Sequence, residues 1–442
     1  MLEGPVARVL VTLAWPLAVS GTLLEGFRLV ALYWMGHYAG SVGLSVMAIM
    51  GPIDLTVGWI FVALSAGAGS LVARSIGAKR GDGLTIVLSA TKLVLGVSIV
   101  LAAIGVLISG PLCRVLGVEP DVVDVLHRYF VWFCLWLPAR GLMQLWLSVA
   151  IASGHTRMII ARVLIELAFI GGFTPIAMTT LGLAAAGPAV SQGIGNLGTA
   201  LALGGTLYAR RRELGLVAHT PPTDIPRVLW WKIAKIGSPI QAARVTHFLT
   251  LGVLVHVIAR SGKAEAAGFG IALQVVLLAA NLTLGIARGN AVVIGHSLGA
   301  QLPARVKETM RLASWIAFGV AATITIALFW PAPFVRLFAH DPKVVDAATR
   351  AIAIVHWSVL AIAAAQLLGE AYTATGVTLL AGGAFLIADA PALVLAHTLP
   401  GAALTAAAVA YLVSQLVRAA LLATLMPHSL WRRLRATAAT RA

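Results

Sequence analysis

Apolar runs of 20 or more residues follow one another from end to end of this chain, each long enough to cross a hydrocarbon core of about 30 Å as a helix. Inside a bilayer no water is present to satisfy backbone N–H and C=O groups. A run that crosses alone must therefore bond internally, as an α-helix does. The runs fall near 8–36, 43–73, 85–110, 122–148, 158–180, 186–208, 229–259, 266–295, 309–333, 345–373, 378–397 and 402–426. Charged residues make up 11% of the chain, against roughly 25% in soluble domains. The expected fold class is all-α integral membrane, with twelve transmembrane helices. Pro16, Pro138 and Pro239 are the expected kink sites.

The net charge of +16 is distributed by topology. Basic residues gather in alternate loops, such as Arg74, Lys79 and Arg80, then Arg210, Arg211 and Arg212, then Arg305, Lys307 and Arg311, and in a basic tail. The intervening loops are poorer in Lys and Arg and carry acids such as Glu119, Asp121, Asp341 and Asp346. This alternation places both termini in the cytoplasm of a multi-pass protein of the inner (plasma) membrane. The lipid bilayer is thus the first expected partner, and nucleic acid is not one. Cys113 and Cys134 lack metal-ligand spacing and are expected as packing residues.

The chain also repeats itself. "GSLVARSIGAKRGDG" (69–83) and "AVVIGHSLGAQLPAR" (291–305) align Gly77-Ala78 with Gly299-Ala300, 222 residues later. "LGVEPDVVDVLHRY" (116–129) and "FAHDPKVVDAATRA" (338–351) keep the same offset, as do Gln144 with Gln366 and Gly154 with Gly376. Pro16 with Pro239, and "VSQ" at 190–192 with "VSQ" at 413–415, are offset by 223. A register that drifts so little marks an internal duplication. With six spans per half, both halves enter the membrane from the same side, giving two pseudo-twofold-related six-helix bundles in a parallel repeat. The expected organisation is an N-terminal lobe over 1–210, a charged and Pro-rich cytoplasmic linker over 211–228, a C-terminal lobe over 229–426 and a basic tail over 427–442.

Five motifs carry a resemblance. They are "LAWPLAVSG" (13–21), "YWMGHYAGSVGLSVMAI" (33–49), "GSLVARSIGAKRGDG" (69–83), "VAIASGHTRMI" (149–159) and "GLAAAGPAVSQ" (182–192). In this order, and with their partial recurrence in the second half, they resemble the multidrug and toxic compound extrusion (MATE) family. The resemblance implies a twelve-helix, two-lobe transporter that exports organic compounds in exchange for H⁺ or Na⁺. The family's usual first-helix Asp, five residues before the glycine matching Gly36, is replaced here by Ala31, and no carboxylate stands in "VLAIAAA" (359–365) before Gln366.

Ionisable residues inside spans are costly, at least about 2.5–3.5 kcal/mol for a lone charge at the bilayer centre, and so mark functional candidates. Five acids lie there, Glu25, Asp54, Glu166, Glu370 and Asp389, with five arginines, Arg28, Arg140, Arg244, Arg288 and Arg418. Glu25 and Arg28, three apart on one helix face, can pair. Since the resemblance implies a coupling acid in the first helix, Glu25 is the first candidate for cation coupling. Asp54 is the second, either paired with Arg28 or alone. Arg140 with Gln144, and Glu370 with Gln366, occupy repeat-related helices one turn apart and are expected to form a polar, amphoteric substrate cavity. Arg28, Arg244, His247 and Arg288 join them. The glutamines also suit helix–helix hydrogen bonding. Glu166 and Asp389 are expected as structural groups inside the lobes.

The function expected from this pattern is secondary active efflux of small organic compounds, cationic or zwitterionic, by rocking of two lobes in a monomer. No cofactor is expected beyond H⁺, or alternatively Na⁺, as coupling ion. A flippase for lipids or lipid-linked glycans is the nearest alternative. A membrane-embedded enzyme is the more distant one, because no catalytic constellation and no phosphate loop appears in the sequence.

Overall fold

The computed structural model describes residues 4–115, 120–216, 227–259, 263–336, 342–398 and 403–439. The chain is all-helical over these residues, in twelve successive helical passages. The first two, α1 (6–39) and α2 (41–77), are two helices that meet at a kink at Gly40. Its φ of 56° and ψ of −144° suit a residue without Cβ. Then come α3 (Gly83–Val115), α4 in two segments (Pro120–Leu135 and Leu137–Ala152), α5 (Met158–Thr179) and α6 (Gly187–Ala209). The second half repeats the order as α7 (Arg227–Ala259), α8 (Lys263–Gly299), α9 (Pro303–Ala327), α10 (Pro342–Val355 and Ser358–Thr375), α11 (Thr378–Thr398) and α12 (Ala403–Ala439). Among the described residues, seven helices are individually long and apolar enough to cross a membrane, or up to nine if each bent pair counts as one span.

The duplication reaches the bends. The two segments of α4 meet at 47° and those of α10 at 53°. In α4 the break sits at Trp136, two residues before Pro138, whose missing N–H removes a helical hydrogen bond. Helix α5 contains a π-helical turn, Ala168–Phe173, beginning two residues after Glu166, and Pro239 lies inside α7.

Packing divides the chain into two compact units, Thr22–Gly237 and Met1–Gly21 with Ser238–Ala442. The division does not fall at the linker: each unit includes the opening segment of the other repeat's first helix, up to the vicinity of Pro16 or Pro239. Leu10 and Ala14 of α1 are buried with Ile286, Ala287 and Ile294 of α8, while Ile233 of α7 is buried with Ala68 and Val72 of α2. Glycines make both crossings close enough. A Cβ on Gly67 would lie 2.1 Å from the Ile233 carbonyl oxygen, and one on its repeat counterpart Gly289 would lie 3.2 Å from Ala14. We call the two units the N-terminal and C-terminal lobes after the repeat that supplies most of each. Large apolar side chains such as Leu107 and Trp315, 79% and 72% exposed, are the kind a hydrocarbon solvent covers.

Candidate functional site

In the N-terminal lobe, Asp54 of α2 and Arg140 of α4 form an ion pair. Arg140 donates through Nη1 to Asp54 Oδ1, through Nη2 to Oδ2 at 3.2 Å, and through Nη2 to the Asp54 carbonyl at 3.3 Å. Gly58, one turn beyond Asp54, makes room for this guanidinium, since a Cβ there would lie 2.9 Å from Nη2. Gln144 follows one turn after Arg140 on α4, and Ser148 a turn later donates to the Ser65 carbonyl of α2 at 2.7 Å. Glu166 is buried on α5 and accepts from Arg162 Nε, one turn earlier on the same helix, at 2.8 Å.

In the C-terminal lobe, Arg244 of α7 donates to Glu370 Oε1 of α10 at 3.1 Å. One turn before Glu370, Gln366 accepts from Thr283 of α8 at 2.8 Å. Three residues after Arg244, His247 reaches another helix. Its Nδ1 lies 2.9 Å from Asp389 Oδ1 of α11, and Arg418 Nη2 of α12 donates to the same oxygen at 2.6 Å. Gln415 completes the cluster, accepting from Arg418 Nη1 at 3.1 Å and standing with its Nε2 3.3 Å from His247 Nε2. Asp389, Gln415 and Arg418 are buried, and the Phe385 ring lies 4.9 Å from the Arg418 guanidinium carbon.

These pairings redraw the sequence expectations. Asp54 takes Arg140 as a partner, and its expected partner Arg28 has its side chain outside the described residues. Arg140 and Glu370, expected beside Gln144 and Gln366 in a polar, amphoteric site, are each bound inside their own lobe, to Asp54 and to Arg244. Gln366 serves as a helix–helix bond to α8, the role that also suits its sequence context. Arg244 and His247 do share a face of α7 but divide between two carboxylates on two helices. Arg288 is partly buried on α8. The side chains of Glu25 and Arg28 lie outside the described residues, as does that of His256. Sequence reasoning missed the gathering of Asp389, Gln415 and Arg418 around His247. The available signal was the repeated "VSQ", which ends on Gln192 and on Gln415, one turn before Arg418.

The family model MatE matches residues 16–174 and 239–388, one match per repeat, each beginning at one of the two paired prolines. The chain belongs to the MATE family. Its curated relatives include a FAD transporter of Shewanella oneidensis, 23% identical over 78% of this chain and 77% of that protein. A probable multidrug resistance protein, NorM, of Aromatoleum aromaticum is 25% identical over 75% and 72%. Among solved structures, an Asp-to-Asn mutant of the Vibrio cholerae MATE transporter VcmN superposes with a TM-score of 0.87 at 18% identity, over 96% of this chain and 98% of that one. The molecule is thus a membrane-spanning MATE efflux transporter of small organic compounds, not an enzyme, and its fold is the twelve-helix, two-lobe fold of that family.

Proposed function

We propose that this MATE protein is a secondary active exporter working by alternating access of its two lobes. Uptake of H⁺ by an intramembrane carboxylate would drive the cycle, with Na⁺ as the alternative ion. The observation that carries the reading is the closed electrostatics among the described residues: Asp54, Glu166, Glu370 and Asp389 are each bound to a basic group of their own lobe. A resting state of neutral pairs crosses the membrane at low cost, and a proton or a charged substrate that competes for one partner then has a large effect. Glu25 is the first candidate for the coupling acid and Asp54 the second. Arg28, Arg140, Gln144, Arg244, His247, Arg288, Gln366 and Glu370 are the candidate cavity residues.

The balance of acids and arginines supports zwitterionic and anionic cargo beside lipophilic cations. The relative named as a FAD transporter makes a flavin dinucleotide a reasonable anionic probe. We further propose a monomer with both termini in the cytoplasm of the plasma membrane.

The test is efflux from proteoliposomes under an imposed ΔpH or Na⁺ gradient, with cationic, zwitterionic, dinucleotide and lipid-linked compounds in parallel. ΔpH-driven movement of a soluble organic compound is expected, and it is expected to be lost in Glu25→Gln, which should still insert. Full ΔpH-driven activity in that variant overturns the assignment of Glu25. Movement of lipid-linked cargo alone would favour the flippase.

A further inference from the structure

His247, Asp389, Gln415 and Arg418 come from three helices and leave two of their own atoms unsatisfied. Asp389 Oδ2 and Arg418 Nε are both buried without a hydrogen-bond partner. They belong to residues already in contact, since Arg418 Nη2 donates to the other oxygen, Oδ1, at 2.6 Å. Buried polar groups are normally satisfied, and an exception calls for a physical reason.

Two of the three contacts of the imidazole favour one neutral form. Gln415 Oε1 accepts from Arg418 Nη1, so the amide turns its NH₂ group toward His247 Nε2. In that orientation Nε2 accepts, and the neutral ring carries its proton on Nδ1, where it donates to Asp389 Oδ1. Arg418 Nη2 also lies 2.9 Å from His247 Nδ1, a contact that becomes a hydrogen bond only in the opposite tautomer, with Nδ1 accepting, so one contact opposes the two that place the proton on Nδ1.

A proton arriving at Nε2 would face the amide N–H of Gln415, donor against donor. Rotating that amide by half a turn removes the clash, and Oε1 then accepts from Nε2–H. The same rotation takes the acceptor away from Arg418 Nη1. Released there, the guanidinium can meet Asp389 side-on, giving Nε to Oδ2 and Nη2 to Oδ1, the bidentate fork that arginine and carboxylate favour. The two orphaned atoms of the present arrangement are the two that this second arrangement would join.

We propose that His247 is a proton-binding site of the C-terminal lobe, with Gln415 and Arg418 as positioning residues that switch together between two hydrogen-bonding arrangements. The proposal rests on the reading of the protein as proton-coupled and adds a site apart from Glu25 and Asp54. The charged and titratable neighbours are Arg244, one turn earlier on α7, and Glu370 on α10, which pairs with it. Asp389 on α11 and Arg418 on α12 are joined by Tyr411, whose ring stacks at 6.2 Å from the His247 ring. Without the proton, Arg244, Arg418, Glu370 and Asp389 balance. With it, a third positive charge stands on one side of α7, beyond the Pro239 position where that helix passes from one unit to the other. A net charge in hydrocarbon favours hydration or movement of that helix.

The test uses the full-length transporter in lipid nanodiscs with ¹⁵N-labelled histidine, the His247 signal being assigned by its loss in His247→Gln. At high pH, Nδ1–H neutral imidazole is expected, with Nε2 protonating on acidification. Gln415→Glu, which places a carboxylate opposite Nε2, is expected to move that midpoint up by about one pH unit or more. It also assigns the signal if His247→Gln does not fold. In proteoliposomes, the pH dependence of transport by Gln415→Glu should move in the same direction. An imidazole bearing its neutral proton on Nε2, or a midpoint unmoved by Gln415→Glu, overturns the site. A titrating His247 with a transport pH profile that ignores Gln415→Glu overturns its part in coupling. If ΔpH drives no transport in the wild type while His247 titrates as described, the site stands and the proton-coupled reading falls.

Discussion

Glu166 and Asp389 stand at corresponding places of the two repeats, 223 residues apart, yet they are held in different ways. Glu166 takes a partner from its own helix, Arg162, one turn away. Asp389 takes partners from two other helices, His247 of α7 and Arg418 of α12. The first arrangement neutralises a charge and leaves the packing of α5 to its apolar face. The second ties three helices at one carboxylate oxygen. The same contrast does not extend to Asp54–Arg140 and Arg244–Glu370, which each join two helices within one lobe. One duplicated scaffold therefore carries an intrahelical acid in one lobe and an interhelical cluster in the other.

The largest effect that separates the two acids comes from removing them. Asp389→Ala leaves Arg418, only 4% exposed, without its carboxylate, and a broken buried pair costs about 3–5 kcal/mol. Glu166→Ala frees a partner that can extend along its own helix, and a loss at most half as large is expected. Thermal unfolding of the purified transporter in nanodiscs measures both. The double variant Asp389→Leu with Arg418→Leu should recover most of the loss, since the stray charge is gone. An equal or larger cost for Glu166→Ala breaks the contrast.

A second, smaller difference lies at the two helix crossings. Gly67→Ala pushes a Cβ to 2.1 Å from a backbone oxygen of α7, which only a shift of the helix can relieve. At Gly289 the corresponding Cβ meets Ala14 at 3.2 Å, a contact that gives by a few tenths of an ångström. Overpacking of the first kind costs about 1–3 kcal/mol, so Gly67→Ala should unfold at lower temperature than wild type and Gly289→Ala should lie close to it. Equal shifts would mean that the two crossings are equally tight.

Much of this architecture was legible in the sequence. The constant offset gave the repeat, and Pro138 located the bend in α4 because a missing N–H acts locally. The exchange of helix openings between units was not legible. It depends on which neighbours Gly67 and Gly289 meet, and a glycine's sequence context does not name its neighbour. The charges were countable from sequence, but their partners were not. Asp54 and Arg140 are 86 residues apart and His247 and Asp389 are 142 apart, so only the packing of distant helices brings them together. Within one helix the rule is local, and Arg162–Glu166 at i and i+4 was in principle readable.

The smallest effect concerns the glutamines, whose sequence positions are equivalent and whose bonds can be separated. Gln366 receives a hydrogen bond from Thr283 Oγ1 at 2.8 Å, joining α10 to α8. Interhelical hydrogen bonds in membranes contribute about 0.6 kcal/mol on average, because the separated helices also find partners. Thr283→Val keeps the shape of the side chain and removes the donor, so a loss of that order is expected, and Gln366→Leu should add little once Thr283 is Val. A double-mutant cycle on unfolding therefore isolates the bond. Transport should follow the same pattern if Gln366 acts only as a link between helices. If it also contacts cargo, Gln366→Leu would change the apparent substrate affinity in the Thr283→Val background while leaving stability unmoved, and the packing role alone would no longer account for the residue.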